Sequence, residues 1–177
     1  MKRSIFLTLA ALCLSLTMSA QTPGKITLPK LISDKMVLQR DVELDIWGWA
    51  DPGTWVTVRF KGAYYEAQTG EDGKWMVTMP PQPAGGPYLM EVNEISIRDV
   101  LVGDVWLCSG QSNQETPIQR LTEMFPEINV ANNNMIRHYK VPTQDSKEAL
   151  QEEIAGNIKW ISGVSSEIMS WTALAYF

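Results

Sequence analysis

The sequence predicts a chain of mixed β and α/β class, with a β-sandwich over residues 21–98 and an α/β domain over residues 99–177. Between Ile26 and Ile97, short runs of alternating apolar and polar residues are separated by turn residues, as is typical of a sandwich. The composition then shifts, and Val105–Cys108 is a continuous apolar run. Such a run is typical of a strand buried on both faces of a parallel sheet.

Residues 1–20 show the three regions of a secretory signal peptide. A basic start is followed by an uncharged apolar core from Ile5 to Leu16 and by small residues up to Ala20. The core is too short for a permanent membrane span, which needs about 20 residues, although a buried helix or an anchor is the alternative. We therefore expect cleavage after Ala20 and a secreted or periplasmic protein with no membrane contact in its mature form.

The charge of the chain limits its partners. The formal net charge is −5, and removal of Lys2 and Arg3 with the signal peptide changes it to −7. Nucleic acids and anionic membranes are bound by clustered Lys and Arg, so neither partner is expected, whereas a neutral or polyhydroxylated ligand is compatible. Cys108 is the only cysteine after cleavage, which excludes an internal disulfide and, within an apolar run, predicts an inert buried thiol.

The alternating runs predict strands with one buried and one solvated face. Val42–Ile46 and Val56–Phe60 both place apolar residues at every second position. Asp72-Gly73 is typical of a hairpin turn and precedes a third alternating run.

Three tryptophans in this region have two interpretations. Trp47, Trp49 and Trp55 have the aromatic faces needed to stack against a sugar. Packing in the core or at a domain interface is favoured in so small a sandwich, so no sugar site is predicted there.

The region after Val105–Cys108 predicts short helices at Glu115–Met124 and at Pro126–Ala131, with Pro126 in a first turn, and a strand at Met135–Val141. Lys147–Glu153 is a solvated charged stretch, and Ser170–Phe177 begins an apolar helix that lacks a closing residue. These elements leave the central strand uncovered, so we expect an apparently truncated domain, the first part of an α/β fold.

The apolar run leads into small and polar residues, among which Ser112 is a candidate nucleophile. Ligands of α/β sheets collect at the carboxyl ends of strands, and Gly110 permits a close backbone approach. We expect the Ser112 side chain to face a cleft at such an end, with Ser109 as the lower-ranked candidate. The alternative is that Ser109, Ser112 and Asn113 form a turn or cap a helix, and the spacing leaves both interpretations open.

The segment Asp104–Asn113 resembles the nucleophile block of the sialate O-acetylesterases, carbohydrate esterases of the SGNH-hydrolase superfamily. Leu31–Arg40 and Trp171–Phe177 are similar to flanking stretches of the same family, so the resemblance covers most of the mature chain. Two departures occur: Gln114 stands where the family usually has Met, and Thr116–Ile118 follows a variable pattern. Neither departure removes the serine.

The resemblance implies an SGNH (flavodoxin-like) hydrolase domain that removes O-acetyl groups from sialic acids or related acetylated sugars, without a metal or other cofactor. It implies that Ser112 attacks the acetyl carbonyl and that its backbone N–H forms part of the oxyanion hole, helped by a donor near Gly110. Gly110, Gln111 and Asn113 become candidate substrate-binding residues. The alternatives are a non-catalytic carbohydrate-binding or accessory protein and a non-functional gene fragment.

A serine nucleophile needs a general base, and the sequence offers only one histidine. His138 follows Ser112 by 26 positions, in a predicted strand, and the family's later Asp-x-x-His block is absent. A surface or half-buried strand histidine is the favoured interpretation, and one His with one Cys makes no metal site. We therefore expect the 177-residue chain alone to be inactive.

Overall fold

The computed structural model describes residues 24–142, 153–154 and 156–177. The predicted signal peptide and nearly all of the Lys147–Glu153 stretch lie outside the described residues. The described part is mostly β-sheet with a few short helices, as the sequence predicts for the N-terminal region. Among these residues, no helix is long and apolar enough to cross a membrane.

The strands of the first part form two sheets. A five-stranded sheet has the order β1-β7-β6-β3-β4, in which only β1 and β7 run parallel, and a second sheet pairs β2 with β5. The strands are β1 Val37–Gln39, β2 Leu44–Trp49, β3 Trp55–Phe60, β4 Ala63–Gln68, β5 Lys74–Met79, β6 Gly85–Val92 and β7 Ile95–Gly103.

Alternation explains why the two sheets bury one common core. In β3, Val56, Val58 and Phe60 are buried while the intervening residues are not, and β2 and β5 follow the same period of two. The buried apolar side chains of both sheets belong to a single hydrophobic cluster, except Leu101 of β7, which lies outside it. The β class of this region is confirmed; its classification as a sandwich stays a prediction.

Two local predictions in this region were wrong. Val42 is exposed, because the chain reverses at Asp41, where φ is 60°, and β2 begins only at Leu44. Asp72-Gly73 does form a turn, but it links β4 to β5, which belong to different sheets. Two-residue hairpins are instead at Asn93-Glu94, between β6 and β7, and at Lys61-Gly62, where both φ angles are positive, 51° and 81°, as a type I′ turn requires.

β7 passes through the predicted junction between residues 98 and 99. Val100, Leu101 and Val102 are buried, and Leu101 lies opposite Val37 of β1 in the five-stranded sheet. The composition shift at 96–103 therefore belongs to a central strand of the first part. The division into two domains stays a prediction, but a boundary at 98 would cut this strand.

The second part contains short elements around a smaller core. Predicted helices appear as 3₁₀ turns, and Pro126 lies in a first turn as expected. The elements are 3₁₀ helices Ser112–Glu115, Ile118–Leu121 and Pro126–Val130, β8 Asn132–His138, β9 Ile161–Val164, α1 Ser165–Ile168 and α2 Ala173–Tyr176. β8 confirms the predicted strand near Met135, but it pairs antiparallel with β9, so the described residues of this part hold no parallel sheet.

An ion pair with a buried arginine and a partly exposed aspartate joins the two parts. Arg137 Nη2 on β8 donates to Asp99 Oδ1 on β7 at 2.8 Å, and the Arg137 side chain is only 2% exposed. Beside it, Trp160 packs against the first core and its Nε1 donates to the Leu31 carbonyl at 2.8 Å. The guanidinium is thus a charge that has been removed from water. The stability of the folded chain therefore depends on the carboxylate that pairs with it.

We expect Asp99→Gly to lower the free energy of unfolding by about 2 to 3 kcal/mol, because it leaves a buried guanidinium without its charged acceptor. Glycine is the suitable replacement because Asp99 has φ 59°, which alanine would adopt only with strain. Asp99→Asn tolerates the same backbone and keeps an acceptor oxygen, so it should lose less. Urea denaturation of the three proteins measures the difference; equal stability would show that the ion pair contributes nothing.

Candidate active site

The segment predicted as a buried strand is not a strand. Trp106 is 84% exposed and Leu107 is 95% exposed, and β7 ends before them at Gly103. An apolar run is buried in a sheet only when neighbouring strands cover it, and no strand in the described part of the chain pairs with residues 104–110. The Val105 N–H instead donates to the Gln39 side chain at 2.8 Å.

Cys108, in the same segment, is likewise exposed. The thiol was predicted to be buried and inert, but Cys108 is exposed in the structure. The prediction was wrong for the same reason, since its burial depended on the strand.

Ser112 lies at the first position of a 3₁₀ helix, Ser112–Glu115, and is exposed to solvent. The predicted placement at the end of a buried strand is therefore wrong, although the serine does follow a turn. The residue at the helix cap is Gln111, whose side chain makes no capping hydrogen bond. The first amide bonded within this helix is that of Gln114, which donates to the Gln111 carbonyl at 2.9 Å.

Gly110 and Gln114 hold the turn in place. A Cβ atom added to Gly110 would come within 3.2 Å of the Gln114 Cβ atom, so a larger residue would displace that side chain. Gln114 Nε2 donates to Thr172 Oγ1 at 3.3 Å, which ties the turn to the start of α2. Sequence reasoning treated Gln114 only as a departure from the family pattern, and no signal in the sequence indicated this contact.

A cavity of about 830 Å³ opens beside this turn. Ser109, Gly110 and Gln114 line one wall, and His138 and Tyr139 contribute from β8 and the residue after it. Its volume is in the range of small-molecule sites. Exposed apolar residues of the preceding loop, Trp106 and Leu107 among them, also line it.

The structure brings together only some of the predicted site residues. Gly110 and the lower-ranked serine, Ser109, line the cavity, whereas Ser112, Gln111 and Asn113 lie outside its lining. The role of each predicted site residue stays a prediction.

His138 is half-buried on β8, as the sequence predicted for a strand histidine. Its ring stacks on Trp171, with ring centroids 4.7 Å apart and an interplanar angle of 30°. Nδ1 is buried and has no hydrogen-bond partner among the described residues. A histidine that serves as a base for serine is usually oriented by a carboxylate at this nitrogen, so the described residues do not form a Ser-His-Asp arrangement.

Burial, and secondarily the charge of Lys140, lowers the pKa of His138 below its usual value of about 6.5. Above both the folded and the unfolded pKa, the ring is neutral in both states. As the pH falls through about 6.5, the unfolded chain takes up the proton first, so the free energy of unfolding decreases.

We expect the stability of the chain to fall between about pH 7.5 and 5.5, and His138→Phe to remove part of this dependence. Phenylalanine keeps an aromatic ring against Trp171 but cannot be protonated, so the two proteins should differ most at the lower pH. Thermal unfolding followed by circular dichroism across this range provides the measurement. Parallel pH profiles for the two proteins would contradict the assignment.

No group of three or more His, Cys, Asp or Glu side chains in the described ranges is arranged to hold a metal ion.

The chain is similar in sequence to known proteins. No family model matches the chain. A sialate O-acetylesterase from Homo sapiens is 29% identical over 153 residues, which cover 77% of this chain and 29% of that protein. A sialate O-acetylesterase from Mus musculus is 30% identical over 145 residues, which cover 73% of this chain and 27% of that protein.

A solved structure extends the likeness to the fold. A carbohydrate acetylesterase from Xanthomonas citri matches with a TM-score of 0.80 and 35% identity over 86% of this chain and 36% of that chain. The chain spans less than a third of the length of the curated relatives it matches. It is homologous to sialate O-acetylesterases over about three quarters of its length, which confirms the resemblance seen in the motifs.

Proposed function

We propose that this chain is the nucleophile-bearing part of a carbohydrate acetylesterase that removes O-acetyl groups from sialic acids or related acetylated sugars. The observation that carries the proposal is the 35% identity to a carbohydrate acetylesterase over 86% of the chain. The sialate O-acetylesterases that match at 29–30% identity support the same reaction class. No metal or other cofactor takes part in the proposed reaction.

In this proposal, Ser112 Oγ attacks the acetyl carbonyl while a base accepts the hydroxyl proton. The bond to the sugar oxygen then breaks, that oxygen takes a proton, and water releases acetate from the acetyl-enzyme. The exposure of Ser112 leaves its hydroxyl open to a substrate. The amides of Ser112 and Asn113 precede the first hydrogen-bonded amide of the 3₁₀ helix, so they are suited to donate to an oxyanion.

The base in this proposal is a residue other than His138. The His138 Nδ1 atom is buried without a carboxylate partner, and the ring is packed against Trp171. The sequence holds no second histidine. We therefore assign the acid–base pair to residues outside these 177. In this proposal, the chain alone is inactive.

The proposal extends to architecture and location. The two sheets with one common core are compatible with a β-sandwich, and the Asp104–Asn113 block supports the first part of an SGNH hydrolase domain after it. Residues 1–20 support export to the periplasm or the exterior, where acetylated glycans are accessible to a secreted enzyme.

A chimaera tests the nucleophile. Residues 24–177 would replace the matched portion of the Xanthomonas citri acetylesterase, and the purified protein would be assayed on an acetyl ester and on O-acetylated sialic acid. We expect a folded, active chimaera in which Ser112→Ala reduces activity to background and Ser109→Ala retains most of it. Activity that survives Ser112→Ala but is lost in Ser109→Ala would transfer the role to Ser109, which lines the cavity.

A further inference from the structure

The outer face of β3 and β4 carries the most exposed aromatic side chains of the five-stranded sheet. Since Val56, Val58 and Phe60 point to the core, the other β3 residues lie on the opposite face. The register places one β4 residue beside each of them. The resulting β3–β4 face consists of three cross-strand pairs: Trp55 with Gln68, Thr57 with Glu66, and Arg59 with Tyr64.

Trp55 and Tyr64 are exposed in this face to 61% and 65%. Trp47 and Trp49 differ, because both are partly buried and Trp47 packs against the core. Of the three tryptophans considered in the sequence, only Trp55 therefore presents most of its ring to solvent. A single exposed apolar residue needs no explanation, but two large aromatic rings on one face of a sheet with hydrogen-bonding neighbours resemble a binding surface.

The neighbours of Trp55 are held in fixed positions. The Asn93 side chain accepts from the Thr57 N–H at 2.7 Å and donates to the Trp55 carbonyl at 3.1 Å. Thr57 Oγ1 donates to Glu66 Oε1 at 3.3 Å, and Gln68 Nε2 donates to the Gly53 carbonyl at 3.1 Å. These bonds orient carboxylate and amide oxygens beside the aromatic ring, which reduces the ordering cost of binding.

The charges of the face favour an uncharged ligand. Arg59 is paired with Glu91 of the adjacent strand. Glu66 adds a second carboxylate, so the face carries no net positive charge. A nucleic acid or an acidic glycan needs a basic surface, whereas sugar hydroxyl groups donate to carboxylate and amide oxygens and the C–H faces of a sugar pack on aromatic rings.

The spacing indicates the size of the ligand. Trp55 and Arg59 are four residues apart on β3, and Tyr64 lies opposite Arg59. The two aromatic positions are thus separated by roughly 13 Å along the strands. A ligand that contacts both must be an oligosaccharide rather than a single sugar ring.

We propose that the β3–β4 face binds neutral oligosaccharide or polysaccharide chains. The choice of a carbohydrate partner rests on the proposed function, but binding itself does not require ester hydrolysis. None of the six face residues is among those that line the cavity beside the Ser112 turn. The surface is therefore a second carbohydrate contact, which would hold an acetylated glycan to the protein.

Native affinity electrophoresis of the full chain provides the test, with gels that contain acetylated xylan, deacetylated xylan, galactomannan or mixed-linkage β-glucan. Polysialic acid serves as the acidic comparator. We expect retardation by at least one neutral polysaccharide, and a roughly tenfold or greater loss of affinity in Trp55→Ala, as for an aromatic that anchors an interface. Tyr64→Ala should also weaken binding, and Trp55→Phe should retain part of it.

Met76→Ala is the matched control, since Met76 is 58% exposed on β5 of the other sheet. Its binding should equal that of the parent chain, and unfolding curves should show that all variants are folded. The proposal is overturned if no neutral polysaccharide retards the chain, if Trp55→Ala and Met76→Ala behave alike, or if only polysialic acid retards it. The Ser112→Ala variant should bind the polysaccharide as the parent chain does. If Ser112 proves not to be the nucleophile, the result of this binding test therefore still stands.

Discussion

A polypeptide of residues 24–98 is expected to show no cooperative unfolding transition, whereas one of residues 24–104 is expected to unfold cooperatively. The shorter piece ends inside β7 and lacks Val100, Leu101 and Val102, which are 0%, 3% and 3% exposed in the chain. Each fully buried aliphatic side chain contributes about 1.5 to 3 kcal/mol. Val100 and Val102 belong to the core of the first part, and the two together match much of the lower end of the roughly 5 to 15 kcal/mol by which a domain is stable.

The same cut also removes a strand pairing. β1 pairs with β7 through Val37 opposite Leu101 and Gln39 opposite Gly103, and β7 lies between β1 and β6 in the sheet. A piece that ends at residue 98 therefore leaves β1 with no described neighbour. Met36, next to β1 and 2% exposed, would lose part of its cover as well.

Urea denaturation followed by tryptophan fluorescence, with a proton–nitrogen correlation spectrum of each piece, measures the difference. A piece of residues 24–110 is the matched control, because it adds only exposed residues and should have the midpoint of residues 24–104. If residues 24–98 unfold with that same midpoint, the predicted boundary at 98 is correct and the end of β7 is dispensable.

The alternation of apolar and polar residues predicted the strands of the first part well, because in these strands it determines which side chains are buried. The period of two in β3 identified the buried set Val56, Val58 and Phe60 from the sequence alone. Hairpin chemistry was harder to assign, since Asp72-Gly73 and Lys61-Gly62 both suit a tight turn. Which turn joins paired strands depends on the sheet that each strand enters, and that is a tertiary property.

The second part shows where an apolar pattern is insufficient. Val105–Cys108 has the composition of a buried strand, yet Leu107 is almost fully exposed. Composition describes what a segment can bury, while burial itself depends on strands that cover it. The same reasoning explains why Cys108 was predicted to be buried and is instead exposed.

The long-range contacts at the candidate site could not be predicted from the sequence, because they too depend on the tertiary fold. Ser112 was identified from its turn after the apolar run and from a motif resemblance, both of which are local, but the stack of His138 on Trp171 and the bond from Gln114 to Thr172 join residues far apart in the chain. Neither the periodicity of the sequence nor the spacing of its motifs indicates contacts between such distant residues. The strand position and partial burial of His138 were predicted, because both depend only on its local pattern.

The 177-residue chain is expected to show esterase activity lower than that of an intact enzyme by about 10⁴- to 10⁶-fold, the cost of removing catalytic groups that act as a unit. Ser112 has no base within the proposed arrangement, and a serine hydroxyl without one is a poor nucleophile at neutral pH. Oxyanion donors alone restore only a small part of the rate. The lowered pKa of His138 would keep its ring neutral and able to accept a proton, so its exclusion rests on geometry.

The assay compares the purified chain with Ser112→Ala and His138→Phe variants on p-nitrophenyl acetate and on O-acetylated sialic acid, with the Xanthomonas citri acetylesterase as the active reference. We expect a low rate that neither substitution changes, because the two residues do not act together. His138→Phe is preferred to His138→Ala, since it keeps a ring against Trp171 and separates loss of a base from loss of packing. A rate close to the reference that both substitutions abolish would establish His138 as the base, and the proposed division of the catalytic groups would then be wrong.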